Sequence, residues 1–169
     1  SYIISNTSLV FLMKEIMELQ GNAYTKKFPD WVFRLSKQQI NEIIKGLFSG
    51  DGCVGKYEVL LSSASKEMTK ELHSLLLFSG IVARTRFVKK DKTYCTRISS
   101  IKMIKAYCEN IGFLQERKNT WLGKLCERIS THDVSDIIPI SVESKQMLAE
   151  SMANFNSYDY IKRGYSLGR

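Results

Sequence analysis

The stretch "IIKGLFSGDGCVG", residues 43 to 55, combines features that an isolated helix does not favour. An apolar helical run is interrupted by Gly46 and Gly50, and it ends in Asp51 between two glycines. Each glycine inside a helix costs roughly 0.8–1 kcal/mol relative to alanine. Because Gly46 and Gly50 are four residues apart, they share one face and let another backbone approach it closely. The helix dipole disfavours an acid at the C-terminal end, and a divalent cation beside that acid reverses the effect.

The stretch therefore predicts a contact helix that delivers a metal-binding carboxylate to an interface. The alternative is that residues 50–52 form only a helix cap and a turn, with Asp51 solvated. The glycines by themselves leave both interpretations open.

The charge of the chain is concentrated in one region. The sequence of 169 residues has 25 basic and 17 acidic residues, a formal net charge of +8. Residues 84–105 contain eight basic residues against a single acid, Asp91; the basic ones are Arg84, Arg86, Lys89, Lys90, Lys92, Arg97, Lys102 and Lys105. A basic stripe of this kind is typical of nucleic-acid binding, although many soluble proteins carry a similar excess.

Other function classes receive little support. Among apolar runs, none reaches the roughly 18 residues needed to span a bilayer. The four cysteines (Cys53, Cys95, Cys108 and Cys126) are far apart and include no CxxC pair. We therefore expect reduced core thiols in an intracellular protein and no zinc cluster.

Capping residues and apolar periodicity outline the first elements. A short strand is expected at the start, and Thr7 or Ser8 caps a helix that runs to about residue 19. A linker follows, because Pro29 disfavours helix in the residue before it. Ser36 then caps the glycine-bearing helix, residues 37 to about 51.

The rest of the chain alternates pairs of strands with helices. Ser65 caps the helix between two hairpins, one turning near Gly55 and Lys56 and one turning in residues 89–92. Further helices are expected near residues 100–110 and 115–129. Paired strands between helices predict an antiparallel sheet covered on one face, an α+β domain. We place domain boundaries at residues 1–34 (a remnant and linker), 35–130 (the main repeat) and 131–169 (a helical module).

The stretch "IKGLFSGDG" resembles the LAGLIDADG motif of homing endonucleases, especially the "FLxGLFxxDG" form of archaeal, intein-borne enzymes. Three further stretches resemble segments that flank this motif in two-motif members: "FPDWVFRLSKQQINEI", "SASKEMTKELHSLLLFSGIVAR" and "IGFLQERKNTWL". The family fold is an αββαββα repeat, the same order as that predicted from periodicity. The resemblance thus implies an α+β LAGLIDADG homing endonuclease fold with a small helical C-terminal appendage, which is similar to a helix-turn-helix segment.

The resemblance also implies an activity, which is hydrolysis of double-stranded DNA with Mg²⁺. Two repeats pack through their motif helices, so that Gly46 and Gly50 face a second helix. Asp51, together with Gly50, is assigned to metal binding, and Ser49 stands where many members carry an acid that is not a ligand. Lys118 is the candidate catalytic lysine near the scissile phosphate, and the alternative for it is a solvated charge on a helix surface.

The basic hairpin is expected to face the major groove of the DNA. Arg84 and Arg86 share one face of their strand, as Cys95, Arg97 and Ser99 share one face of the next. Arginine reads guanine through two hydrogen bonds, and lysines in the turn suit phosphates. The predicted DNA-binding residues are Arg84, Arg86, Lys89, Lys90, Lys92, Arg97 and Arg117. Tyr57 and Tyr94 are expected to pack in the core or across strands.

Two questions stay open at the level of sequence. The chain is either the second half of a two-motif protein, which the run-in favours, or a homodimer in which two Asp51 carboxylates meet. Its activity is that of an endonuclease, of a DNA-binding regulator without cleavage, or of an RNA maturase on the same fold. The resemblance favours a cytoplasmic endonuclease of an archaeon or another prokaryote, and an organelle is the alternative location.

Overall fold

The computed structural model describes residues 6–19 and 21–127. The expected first strand and the helical module at residues 131–169 lie outside these described residues. The helices and strands run in chain order as follows: α1 Thr7–Phe11, a π-helical turn Leu12–Ile16, a 3₁₀ helix Asp30–Arg34, α2 Lys37–Asp51, β1 Gly52–Val54, β2 Val59–Ser63, α3 Lys66–Phe78, β3 Arg84–Val88, β4 Thr93–Ile98, α4 Ile101–Asn110 and α5 Glu116–Cys126.

The four strands form one antiparallel sheet in the order β1-β2-β4-β3. From α2 onward the elements follow the αββαββα order, which confirms the predicted α+β fold class. One face of the sheet supplies Val59, Leu61 and Ile98 to the hydrophobic core. Helices cover this face with fully buried side chains, among them Ile44, Phe48, Leu72, Leu76, Ile104 and Tyr107. The sheet is therefore covered by helices on the face that these apolar residues define.

Local capping fixes where the helices begin. The Ser36 side chain accepts a hydrogen bond from the backbone N–H of Gln39. The Gln39 side-chain oxygen accepts one from the backbone N–H of Ser36, and the two bonds form a complete capping box. At the starts of α3 and α4, the side chains of Ser65 and Ser100 each accept a hydrogen bond from the backbone N–H three residues later. These helices begin where the sequence predicted, because a cap involves only residues three apart.

The N-terminal helix differs from the prediction in its cap and its length. Asn6, and neither Thr7 nor Ser8, accepts the capping hydrogen bond, from the backbone of Leu9. The α-helix ends at Phe11 and continues as a single π-helical turn, so the expected regular helix to residue 19 is wrong. Its large apolar side chains are exposed, namely Val10, Phe11, Leu12, Met13, Ile16 and Leu19. Without burial of that apolar face, little tertiary packing supports a regular helix.

The expected linker is more structured than the sequence suggested. Pro29 precedes the 3₁₀ helix Asp30–Arg34, and Phe28 and Val32 are buried in the core. The backbone N–H of Phe28 donates to the carboxylate of Glu71 on α3, at 2.7 Å. This hydrogen bond and the two buried side chains hold the segment against the repeat that follows it.

Candidate functional site

The exposed face of α2 is formed around its two interior glycines. Gly46 and Gly50 are exposed, and a Cβ atom placed on either would meet no described atom within 4 Å. Ile43 and Leu47 lie next to them on the helix and are half-buried. Packing within the described part of the chain therefore gives no reason for glycine at positions 46 and 50.

Gly52 is a glycine for a different reason. A Cβ atom at this position would lie 2.6 Å from the carbonyl oxygen and 2.9 Å from the Cα atom of Phe48. The chain turns here from α2 directly into β1, which brings the two backbones together. The Phe48 backbone leaves no room for a side chain at position 52, whereas no such neighbour surrounds Gly46 and Gly50.

Asp51 is the last residue of α2 and is exposed. Among the residues that the structure describes, none donates a hydrogen bond to its carboxylate or forms an ion pair with it. A carboxylate oxygen is the ligand type that Mg²⁺ prefers, and the open surroundings leave room for one. Within residues 6–19 and 21–127, however, no group of three potential metal-binding side chains occurs. Asp51 thus fits one part of a magnesium site that needs further ligands from elsewhere.

Lys118 reaches the base of α2 from α5. Its ammonium donates to the carbonyl oxygens of Ser49 and Gly52 at 2.7 Å each, and to that of Phe48 at 3.3 Å. A lysine ammonium has three N–H donors, so these carbonyls account for all of them. The alternative that Lys118 is a solvated surface charge is therefore wrong. Its cation lies at the C-terminal end of α2, where the helix dipole favours positive charge.

Ser49 forms a second connection between these elements. Its hydroxyl accepts a hydrogen bond from the backbone N–H of Leu114 at 2.8 Å, and its carbonyl accepts one from the Gln115 side chain, also at 2.8 Å. Ser49 is buried. Sequence reasoning gave Ser49 and Gln115 no part in the site, because their hydrogen bonds join elements that are far apart in the chain.

The positive charge of Lys118 also affects the thiol of Cys53. Partial burial raises the pKa of Cys53, and the positive charge of Lys118 opposes that shift. The Lys118 cation therefore acts beyond the three carbonyls, at the first residues of β1.

The basic residues of the hairpin meet on the uncovered face of the sheet. Arg84 lies directly opposite Arg97 in the β3–β4 ladder, and Arg86 lies opposite Cys95. The ladder thus joins the two predicted strand faces into one surface. Arg97 also forms an ion pair with Glu58, at 3.4 Å. Its pKa is raised, first by the contact with Cys95 and then by the charge of Glu58.

The other predicted DNA-binding residues are placed in two regions. Lys89, Lys90 and Lys92 are exposed in the turn between β3 and β4, where Lys92 adopts a positive φ of 51°. Arg117 is exposed on α5, next to Lys118 in sequence, and so belongs to a different element. The structure brings the hairpin residues together and leaves Arg117 apart from that strand pair.

The two tyrosines have different outcomes. Tyr94 packs across the strand against Phe87, with ring centroids 4.9 Å apart, which confirms its structural role. Tyr57 is 54% exposed in the turn between β1 and β2, so the expectation of core packing is wrong for it. The ammonium of Lys56 lies 5.2 Å from its ring.

Comparison with known proteins supports the resemblance seen in the motif. Residues 38–112 match the family model of the LAGLIDADG-like domain. This region is therefore similar to the LAGLIDADG family, which confirms the expected resemblance for these residues. Lys118 and α5 lie beyond the matched residues.

The chain is also similar to segments of much longer proteins. A replication factor C small subunit from Methanocaldococcus jannaschii is 30% identical over 174 residues, which cover 99% of this chain and 9% of that protein. A DNA polymerase from Thermococcus hydrothermalis is 31% identical over 143 residues, 77% of this chain and 8% of that protein. The chain spans less than a tenth of the length of either relative, and both come from archaea.

A solved N-terminal LAGLIDADG domain of DUF199/WhiA aligns with 76% of this chain and 88% of its own, at 10% identity and a TM-score of 0.36. That score is too low to show a shared fold.

Within residues 6–19 and 21–127, no helix is long and apolar enough to cross a bilayer.

Proposed function

We propose that the chain is one half of a site-specific, Mg²⁺-dependent endonuclease for double-stranded DNA, of the homing type. The observation that carries the proposal is the open face of α2, where Gly46 and Gly50 meet nothing described and Asp51 follows at the end. Two interior glycines cost the isolated helix roughly 1.6–2 kcal/mol relative to alanine, so a second backbone on that face explains their presence.

The partner on that face is a second LAGLIDADG repeat. It is either the preceding part of the same longer protein or a second copy of this chain. Helix-to-helix contact at Gly46 and Gly50 brings Asp51 next to a counterpart acid, which supplies the ligand that one chain lacks. A Mg²⁺ ion held there supplies Lewis-acid stabilisation of the leaving oxygen of a phosphodiester.

The uncovered sheet face is proposed as the surface for the DNA major groove. Arginines directly opposite each other on a sheet repel, and Arg84 and Arg97 form such a pair. A phosphate or a guanine edge between them replaces the repulsion with charge-assisted hydrogen bonds. The lysines of the β3–β4 turn suit phosphate contacts alongside.

Lys118 is proposed to serve catalysis by positioning. Its three donors are directed at the carbonyls of Phe48, Ser49 and Gly52, so a contact with phosphate requires it to release one of them. We infer that Lys118 fixes the end of α2, and hence Asp51, and that its charge offsets the negative charge gathered there. Arg117 precedes Lys118 in the chain and is exposed, and we propose that it contacts the DNA backbone.

The relatives support the proposal that this chain is part of an element inserted into host proteins. Their names describe different activities, such as a replication factor C small subunit, a DNA polymerase and a translation initiation factor, yet each shares a similar segment. In these three the chain matches between 8% and 13% of the protein. A segment shared by otherwise different proteins is expected of an intein-borne module, and we propose a cytoplasmic location with such a host.

A cleavage assay tests the proposal. The wild-type chain, alone and with the polypeptide encoded ahead of it, is incubated with duplex DNA of randomised sequence, with and without Mg²⁺. We expect Mg²⁺-dependent double-strand breaks in a subset of sequences. Asp51→Asn should bind the same DNA and leave it intact, whereas Glu42→Gln, which removes an exposed acid from the same helix, should cut normally.

Three outcomes overturn the proposal. Equal cleavage by Asp51→Asn removes the metal-binding role of Asp51. Tight and specific DNA binding without cleavage by any form indicates a regulator. Preference for structured intron RNA over duplex DNA indicates a maturase.

A further inference from the structure

Two cysteines that are far apart in sequence are neighbours in the structure. Cys108 lies on α4 and Cys126 is the last residue of α5. The sulfur of Cys126 lies 3.8 Å from the carbonyl oxygen of Ile104. In an α-helix the carbonyl of one residue faces the backbone N–H four residues later, which here is that of Cys108. The Cys126 sulfur therefore lies beside the helical turn that ends at Cys108, and the two thiols influence each other electrostatically.

The two thiols differ in how accessible they are. Cys108 is exposed, whereas Cys126 is partly buried against α4. A reagent in solution therefore meets Cys108 first, with Cys126 already next to it. An accessible cysteine with a second thiol beside it is the arrangement in which a mixed disulfide is resolved within one chain.

We propose that Cys108 and Cys126 are a redox-sensitive dithiol that a low-molecular-weight disulfide converts into an intramolecular disulfide between α4 and α5. The Cys108 thiolate attacks one sulfur of the small disulfide, and one small thiol leaves. The Cys126 thiolate then attacks the Cys108 sulfur of this mixed disulfide, and the second small thiol leaves. The protein gives up two electrons and two protons, and the small disulfide takes them up as two thiols.

The surrounding charges set the pH at which this reaction proceeds. Burial raises the pKa of Cys126 to about 12, and the charge of Cys108 acts in the same direction. On α4, Lys105 lowers this pKa and Glu109 raises it. Because the thiolate is the attacking species, the second step is slow at neutral pH and accelerates as the pH rises.

The disulfide has a structural consequence for the rest of the fold. It joins residues 18 positions apart and fixes α5 to α4. Closing a loop of this length restricts the unfolded chain, and for a domain of this size the expected rise in melting temperature is roughly 10 °C. This inference does not depend on the proposed nuclease activity.

The experiment uses oxidised glutathione as the small disulfide, at several pH values between 7 and 9. Free thiols are counted by alkylation and intact mass, the linked peptides are identified after proteolysis, and the melting temperature is measured before and after oxidation. We expect a Cys108–Cys126 crosslink, faster formation at higher pH, and a rise in melting temperature that a reductant reverses.

Matched variants separate the pair from the other thiols. Cys108→Ser and Cys126→Ser should show no rise in melting temperature on oxidation, and Cys53→Ser, which removes another exposed thiol, should behave as wild type. Should Cys126→Ser fail to fold, the exposed Cys108→Ser carries the comparison. Glutathione retained on Cys108, a crosslink between chains, or a Cys108–Cys126 disulfide with no thermal effect would each overturn the proposal.

Discussion

The ammonium nitrogen of Lys118 lies 2.7 Å from the carbonyl oxygen of Gly52, the residue that directly follows Asp51. The two are 66 positions apart in the chain, and the contact fixes the end of α2 to α5. With the carbonyls of Phe48 and Ser49 bonded to the same ammonium, the base of the motif helix is held from outside itself. The position of Asp51 thus depends on a residue of another helix.

Replacing Lys118 by methionine should destabilise the fold. The substitution keeps the length of the side chain and removes the donors to three carbonyls, which we expect to lower the free energy of unfolding by about 2 kcal/mol. Urea denaturation measures this change. Arg117→Met is the matched control, since the neighbouring side chain is exposed, and it should change stability by no more than about 0.5 kcal/mol. An equal effect of the two substitutions would contradict the positioning role.

The two glycines of α2 and the first glycine of β1 should respond to alanine in opposite directions. Gly46→Ala and Gly50→Ala should each raise the free energy of unfolding of the isolated chain by roughly 0.8–1 kcal/mol, because the new methyl group meets open space. Gly52→Ala should lower it by about 1–3 kcal/mol, because the methyl group runs into the Phe48 backbone. Thermal or urea unfolding of the three variants gives the comparison. A loss of stability in Gly46→Ala would show that the face is packed within its own chain.

Removing one arginine of the cross-strand pair should separate stability from DNA binding. Arg84→Gln relieves the repulsion from Arg97, so the free energy of unfolding should rise by about 0.2–1 kcal/mol. The same change should weaken binding to duplex DNA and reduce the slope of log affinity against log salt by about 1. Lys66→Gln removes one positive charge from α3, on the other side of the sheet, and should leave binding unchanged. Equal loss of affinity in both variants would indicate a response to net charge alone.

Alkaline pH should destabilise the fold through Tyr107. Burial raises the pKa of Tyr107 far above its ordinary value, so above pH about 10 only the unfolded state releases this proton. The stability linked to the protonated phenol is present below pH about 10 and is lost as the pH rises further. Tyr107→Phe loses the hydrogen bond that the hydroxyl donates to the Gly112 carbonyl, at 3.0 Å, and should be less stable at pH 7. The difference between the two proteins in urea midpoint should shrink between pH 10 and about 11; a constant difference would contradict this account.

Local signals predicted the framework well. Ser36, Ser65 and Ser100 mark the starts of three helices, because a cap depends on residues within one turn. The turn at residues 89–92 and the antiparallel sheet follow from equally short-range patterns. At the start of the chain the same reasoning failed, because helical periodicity continues past Phe11 whether or not another surface buries the apolar face.

The arrangement of the site was only partly predictable. The motif identified Asp51 and the open glycines, but the contact of Lys118 with the end of α2 links elements far apart in the chain. Arg84 and Arg97 were recognised as basic residues on two strands, and only the register of β3 and β4 placed them opposite each other. Ser49 was assigned no role, because its importance lies in the hydrogen bond that its buried hydroxyl accepts from the backbone N–H of Leu114.

The central claim is that the face of Gly46 and Gly50 receives the helix of a second repeat. Sedimentation equilibrium of the wild-type chain and of Gly46→Leu, each alone and with the polypeptide encoded ahead of it, is the measurement to make. We expect a paired species in the wild type that Gly46→Leu abolishes, while the melting temperature of the isolated variant is maintained or raised. The same distribution of masses in both proteins, or a fall in melting temperature caused by leucine at position 46, would contradict it.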